Sequence, residues 1–448
     1  MGLIDTVRRL FSRGSVNTSL WNVGSREVMT PIDNTNAIEE GFNKVASVYS
    51  IVMRDAEKFG VIPRYVYDSK KKEEKSYHKT YQKKSFDANK VDNKLSKLLN
   101  RPNEYESQDA FFTKLRAYYK ASGEAFIWLN RGDVTGLDAR ASMSKEVLEM
   151  YVLPTQYVDV VPDASNMFGA SDYILNANGN RMRLGKANVI HWKNPTLSFD
   201  TGSGEHLRGM SPLKPGNYTL EQYKAESLAS VRMAQNDGAK GVIYNENLGQ
   251  LSPTQENALR GVVDKKINNN DVKGAVAFLQ GKWGYVDIGK SATDLDLLTG
   301  KNMTWKEMCF LFNVPYYFFN PEIAYADANR SMVDWISNSI VPGCKQLDGE
   351  MNRFLPEAFG LKDQVFIGSD VSELPEVQEI TYQLAERLSK LWQIRPNEVR
   401  EIMGYESIPG ELDEIWVQSG LTPLSQFNDP MDAQAQALAD AGLNDTTV

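Results

Sequence analysis

Gly284-Tyr-Val-Asp-Ile-Gly289-Lys290-Ser291 is the stretch of this 448-residue chain whose residue types and spacing match a catalytic motif. It satisfies G-x-x-x-x-G-K-[ST], in which backbone N–H groups wrap a phosphate, the lysine neutralises it and the hydroxyl holds Mg²⁺. The variable positions argue against that chemistry. Tyr285, Val286 and Ile288 prefer extended backbone, and Asp287 would set a negative charge against the phosphates. Ser291, Thr293 and Asp294 delay any helix whose N-terminus would point at a phosphate. A strand ending in a glycine turn is the structural reading, and a P-loop NTPase the alternative. Other catalytic patterns are missing: the sequence has no G-x-S-x-G and no H-E-x-x-H. His78, His191 and His206 are widely spaced and offer little material for a zinc site. His191, between Ile190 and Trp192 on a strand, reads as a structural histidine. Cys309 and Cys344 lie in apolar helical contexts and are expected as buried free thiols of a reducing compartment. The expectation is a protein that is not an enzyme and takes no cofactor or metal.

Hydrophobic content of 42% and charged content of 24% are those of a soluble protein large enough for several domains. No run approaches the ~18–20 apolar residues of a membrane span, and the first residues lack the apolar region of a secretory signal. Met1-Gly2 with Thr6 fits the N-myristoylation pattern. Leu3, Val7 and Leu10 beside Arg8 and Arg9 make a short amphipathic arm the simpler reading, so no membrane association is expected. The net charge of −8 is unevenly spread. Residues 69–97 hold ten lysines against four acids, whereas residues 370–448 hold fifteen acids against four bases. The lysine-rich stretch lacks apolar periodicity and reads as a solvated loop, with a nucleic-acid or acidic-protein contact as the alternative.

The elements that must position these residues are organised around 295–355, a helix, a loop and a longer helix. Leu298, Trp305, Met308 and Phe312 recur at i, i+7, i+10 and i+14, one apolar face of a helix over 295–312. Val314-Pro315 stops it. The loop 320–329 (NPEIAYADAN) follows, and Met332, Ile336 and Ile340 restart the helical period. Pro342-Gly343 falls inside that second helix and predicts a kink. Upstream, a helix over 36–59 precedes a strand over 62–67. Ser107 is a good N-cap for a helix over 108–121, which Gly123 separates from a strand over 124–129. Further strands are expected at 148–153, 157–161, 173–175 and 189–192, so the first 195 residues read as α+β.

Residues 213–235 form a long helix without a wide apolar stripe, because Glu221, Lys224, Glu226 and Arg232 dilute Leu220, Tyr223, Leu228 and Val231. Such a helix often packs against copies of itself or another chain. The insert 238–290 contains strands at 242–244, 275–279 and 285–288, and a helix opened by Ser252-Pro253-Thr254-Gln255. The chain thus leaves by one long helix and returns by another, a hairpin stalk with a small tip. Helices are expected at 376–392 and 397–403, and the Ala-, Gln- and Asp-rich end past Asn428 is expected to fray.

In this order the segments resemble the portal proteins of long-tailed double-stranded DNA bacteriophages. The resemblance is carried by ASVYSIVMRDAEKFGVIPRYVY, then LSKLLNRPNEYESQDAFFTKL with SGEAFIW, then VIHWKN and RGMSPL. It continues through MCFLFNVPYYFF, IVPGCKQLDGEMNRFL and IRPNEVREIMGYESIPG, and spans residues 30–425. It implies an α+β portal fold of wing, stem, clip and crown. Copies would assemble, usually as twelve, into a ring around a central channel at one capsid vertex of the virion, built in the host cytoplasm. It implies passage of double-stranded DNA during packaging and ejection. It also implies docking of the terminase large subunit and the head-tail adaptor, contact with the major capsid protein and scaffold, and no catalysis.

Mapped onto this chain, residues 1–30 are an N-terminal arm, 31–205 the wing, 206–237 the first stem helix and 238–290 the clip. Residues 291–319 are the second stem helix, 320–329 the tunnel loop, 330–369 a kinked helix returning to the wing, 370–428 the crown and 429–448 a flexible tail. Pro321, Ile323, Tyr325 and Asp327 are expected nearest the DNA. Lys224, Arg232 and Lys240 on the stem would either line the channel sparsely or pair with Glu221 or Glu226 of a neighbouring subunit. Pro342 would set the angle of the supporting helix. The lysine-rich 69–97 stretch is longer and more basic than the family pattern, and its role is not carried over. The negative net charge suits a conduit, since about six to ten cationic phosphate contacts would grip the polymer and an anionic ring repels it.

Overall fold

The computed structural model describes residues 32–69, 90–132, 138–139, 146–177, 179–199, 204–235, 241–245, 254, 283–287, 297–319, 325–372, 374–391, 394–402, 407–417 and 422–423. A π-helical turn, Ala37–Phe42, leads into α1 (Ala46–Gly60). The single helix expected over 36–59 is therefore interrupted, because Val45 adopts extended backbone (φ −118°, ψ 108°) as the N-cap of α1. After β1 (Arg64–Asp68), α2 (Lys94–Asn100) is capped by Asn93, whose side chain accepts the Ser96 N–H at 2.8 Å. Ser107 caps α3 (Gln108–Ser122) in the same way, accepting the Ala110 N–H at 3.3 Å. Gly123 closes α3 in the left-handed region at φ 79°, a conformation glycine adopts without steric cost.

The strands that follow build two sheets. β2 (Glu124–Asn130) is the centre of an antiparallel three-stranded sheet, flanked by β4 (Glu149–Leu153) and β8 (Val189–Lys193). The second sheet has the order β3-β7-β6-β5, from β3 (Asp138–Ala139), β5 (Val158–Pro162), β6 (Ala170–Ala177) and β7 (Asn180–Gly185). β6 is longer than the expected 173–175. β7, with sequence NRMRLG, was not anticipated, because it is a mostly solvated strand held by pairing with β6 and not by an apolar pattern.

The hairpin consists of α4 (Asn217–Gln235) and α5 (Leu297–Leu311), with β9 (Gly241–Asn245) and β10 (Trp283–Asp287) paired antiparallel between them in sequence. The expected strand at 275–279 and the rest of the helix expected after Ser252 lie outside the described residues. Beyond α5 come α6 (Tyr325–Trp335), a π-helical turn Ile336–Ile340, and α7 (Val341–Ala358). β11 (Val365–Ser369) then pairs antiparallel with β1, followed by α8 (Pro375–Ser389) and α9 (Pro396–Ile402). Both α8 and α9 open with proline, whose missing N–H is unneeded in a first turn.

The main core joins the N-terminal half to α7. Phe59, Phe111, Phe112, Leu115, Ile127 and Trp192 pack in one cluster with Trp335, Ile340, Leu347, Met351, Leu355 and Ile367. Trp192 is fully buried, and its ring stacks on Tyr119 at 3.7 Å between centroids. Truncating an aromatic of this kind costs about 3–5 kcal/mol. A second cluster roots the hairpin: Val48, Ile51 and Val52 of α1 meet Leu213, Leu220, Tyr223, Met308, Cys309 and Phe312. Met308 and Phe312 thus occupy the buried face that the helical period predicted. Among the described residues no helix is long and apolar enough to cross a membrane.

Candidate functional site

The two legs of the hairpin are gripped where they leave and rejoin the body, at the corner where α3 turns into β2. Gly123 permits the turn, and a Cβ there would collide with the Met210 carbonyl. The outgoing leg, residues 208–211, is fixed by hydrogen bonds to that corner. Arg208 donates to Glu124 Oε1 from Nε at 2.7 Å and from Nη2 at 2.5 Å, and the Gly209 N–H donates to Oε2 at 3.0 Å. Ser211 Oγ donates to the Ala121 carbonyl at 2.8 Å. Asn34 braces the same leg, donating to the Gly209 carbonyl and accepting from the Ser211 N–H at 3.3 Å.

Glu124 is fully buried. Burial alone would raise its carboxyl, but Arg208 and the hydrogen bond from His191 outweigh it and hold it at about 2. His191 Nε2 lies 3.1 Å from Glu124 Oε2. Burial lowers the His191 pKa despite the carboxylate, so the ring is neutral and Nε2 carries the proton that an acceptor-only carboxylate requires. The structural reading of His191 holds.

The returning leg is gripped by Lys120. Its Nζ donates to the Phe312 carbonyl at 2.7 Å, where α5 has ended, and lies 3.4 Å from Ser339 Oγ in the π turn. Asp55 of α1 completes the cluster, 2.6 Å from Arg116 Nε and 3.3 Å from Lys120 Nζ. Burial pulls the Lys120 ammonium down to about 8 against the opposing pull of Asp55. Burial would raise Asp55, yet Arg116 and Lys120 outweigh it and keep it below the ordinary carboxylate range.

Past Phe312 the chain reverses through Asn313, at φ 51°. The Val314 N–H returns to the Cys309 carbonyl at 2.9 Å, and Tyr316–Phe319 form a 3₁₀ turn. Phe318 of that turn meets Trp335 edge-on at 5.0 Å, with the Arg54 guanidinium 4.8 Å from its ring. Trp305 and Phe319 lie 5.5 Å apart. Cys309 and Cys344 are free and buried; burial pushes their thiols up to about 12 and 11.

The long helix after this turn stays helical through Pro342. Proline has no N–H to give an α-helical partner, and the five-residue π turn Ile336–Ile340 stands just before it, absorbing the mismatch. Gly343 lies against the Arg116 guanidinium too closely for a side chain. Asp348, one turn on, accepts the Ser369 N–H and hydroxyl, each at 2.8 Å, with Arg64 Nε at 4.0 Å. Burial raises this carboxyl to about 6 even against Arg64.

Of the residues singled out from sequence, Pro321, Ile323 and Lys240 lie outside the described residues. Tyr325 opens α6 and Asp327 falls in its first turn, so the expected loop 320–329 is helical from Tyr325 onward; Ala326 and Ala328 are strong helix formers. Arg232 lies in α4. Lys224 pairs within its own chain, with Glu221 at 3.0 Å and Glu40 at 3.6 Å. Glu226 likewise stays within the hairpin, accepting from Thr304 Oγ1 at 3.4 Å. In the P-loop-like stretch, Gly284 to Asp287 pair residue by residue with Tyr244 to Gly241 in a strand ladder. That extended geometry is not a phosphate-wrapping loop. Lys290 and Ser291 lie outside the described residues.

Lys120, Glu124, Arg208, Asp55 and Arg116 were not singled out from sequence. The signal was present in part: Arg116 and Lys120 are one turn apart within the apolar series Phe112, Leu115, Tyr119, and Asp55 interrupts the apolar face of α1.

Among known proteins, the family profile described as phage portal protein matches residues 75–404. An uncharacterized protein of Rickettsia bellii is 23% identical over 298 residues, 64% of this chain and 71% of the relative. Two solved structures share the fold. The neck of an empty gene transfer agent particle, computed with C6 symmetry, gives a TM-score of 0.58 at 20% identity, over 86% of this chain and 97% of that one. The neck of a native particle, computed with C12 symmetry, gives 0.57 at 19% identity over the same shares.

Proposed function

The chain belongs to the phage portal protein family, and we propose that copies of it assemble into a ring around a DNA channel at one capsid vertex of a virion. The hairpin α4–α5 is the stem, residues 238–290 the clip, and residues 320–329 the tunnel loop. Double-stranded DNA passes through during packaging and ejection. The terminase large subunit and later the head-tail adaptor dock on the ring, and the major capsid protein and scaffold surround it. The ring itself is not catalytic.

The observation that supports the ring is the outer surface of the hairpin. Gly216, just before α4, lies against Leu311, and α4 meets α5 through Thr219 with Glu307 and Glu226 with Thr304. Away from that contact Tyr218 is 78% exposed, with Ala225 and Leu228 exposed on the same helix. On α5, Met303 and Phe310, seven residues apart, are 59% and 77% exposed. Apolar surface on both helices of one narrow hairpin suits a heterologous contact, one copy's α4 against the next copy's α5, which closes into a ring. Mass photometry of the purified full chain tests this. A single large oligomer of defined stoichiometry is expected, and a monomer at all concentrations would overturn it.

A further inference from the structure

We infer that residues 120–124 act as a two-sided clamp on the hairpin's root, with Glu124 positioning the outgoing leg and Lys120 the returning leg, each without the other. The two side chains leave the same corner, four residues apart, yet share no partner. Glu124 takes Arg208, the Gly209 N–H and His191. Lys120 takes the Phe312 carbonyl, Asp55 and Ser339. Each grips backbone of its leg and not merely a side chain, so each fixes the path of the chain. The apolar contacts of the root, such as Leu213, Leu220 and Phe312, bury area without direction and can slide. A buried charge shared between a backbone group and its ion-pair partner is satisfied only in a narrow geometry, and losing it strands desolvated partners.

The clamp also reaches the long helix, because the ammonium that holds Phe312 lies against Ser339 in the π turn. The Tyr316–Phe319 turn hangs between these two points, with Phe318 on Trp335. Lys120 is thus a positioning residue for that turn. Any consequence for channel width rests on the portal reading; the clamp does not.

Hydrogen exchange followed by mass spectrometry on the full chain separates a clamp from general destabilisation. In Lys120→Met, amides of 313–319 and 336–340 should exchange at least tenfold faster, while 208–216 and β2 stay at wild-type rates. In Glu124→Gln the pattern should invert, with 208–216 accelerated and 313–319 unchanged. Uniform acceleration in both variants, or no change at either leg, would overturn the inference. Should either variant not fold, Ser211→Ala removes two neutral hydrogen bonds, one to the Ala121 carbonyl and one from the Leu213 N–H, and should accelerate 208–216 alone; acceleration at 313–319 as well would count against two independent sides. A wild type that never forms rings would strike the portal reading and leave the clamp standing.

Discussion

The ammonium of Lys120 lies 2.7 Å from the carbonyl oxygen of Phe312, so a charge buried in the body of the molecule holds the residue that follows α5. Behind it stands Asp55, which Arg116 and Lys120 neutralise. Removing one partner of a buried ion pair leaves the other charge desolvated and costs about 3–5 kcal/mol. Asp55→Ala should therefore be severely destabilising in urea titration. The exposed pair Lys114–Glu106 at 3.1 Å is the control, and Lys114→Ala should cost below about 1 kcal/mol.

Two buried carboxylates give pH dependences of opposite sign. Glu124 is held at about 2 against its ordinary 4.5, so the unfolded chain takes up its proton first as the pH falls. The stability it contributes is complete above pH 4.5 and is lost as the pH drops toward 2. Asp348 sits at about 6 against its ordinary 3.8. Its contribution is complete below 3.8 and is lost as the pH rises through 6. Thermal midpoints taken from pH 3 to 8 should show the acid-side loss shrinking in Glu124→Gln and the alkaline-going loss shrinking in Asp348→Asn.

Pro342 follows a π turn in an otherwise unbroken helix. Pro342→Ala restores the missing N–H, and the expected result is a straighter α6–α7 with Ile336–Ile340 in α-helical register. The angle between the two helices in an electron-microscopy map of the variant checks it.

Much of this architecture was legible in sequence, and what was not has a physical reason. Helix α3 was marked by Ser107 and Gly123, local chemistry that needs no tertiary context. Met308 and Phe312 declared a buried face by spacing alone. Strand β11 and its pairing with β1 were not anticipated, because register between strands about 300 residues apart leaves no local signal. Glu124 sits beside Gly123 and reads as an ordinary strand residue, and only Arg208 and His191, far along the chain, make it a buried anchor. The helix at Tyr325 was hidden by Asn320-Pro321, which reads as a loop and drew the boundary too late.

The G-x-x-x-x-G-K-S match should be chemically silent. With Gly284 to Asp287 committed to a strand ladder, ATP turnover by the wild type should equal that of Lys290→Ala at background. A rate that vanishes in the variant would restore the P-loop reading.

The exposed aromatics of the hairpin should matter for assembly and hardly for folding. Tyr218→Asp and Phe310→Asp replace side chains that are 78% and 77% exposed, so monomer stability should move by no more than about 0.5 kcal/mol. A charge set into an apolar contact between copies should nonetheless dissolve the oligomer in size-exclusion chromatography.

Electron microscopy of the purified wild-type chain, viewed end-on, shows directly whether its copies close into a ring. The expected result is closed rings with a central hole, with neighbouring hairpins packed α4 against α5 and Tyr218 and Phe310 buried between them. Compact particles of one chain, or rings whose hairpins stand apart with Tyr218 and Phe310 in solvent, would contradict it.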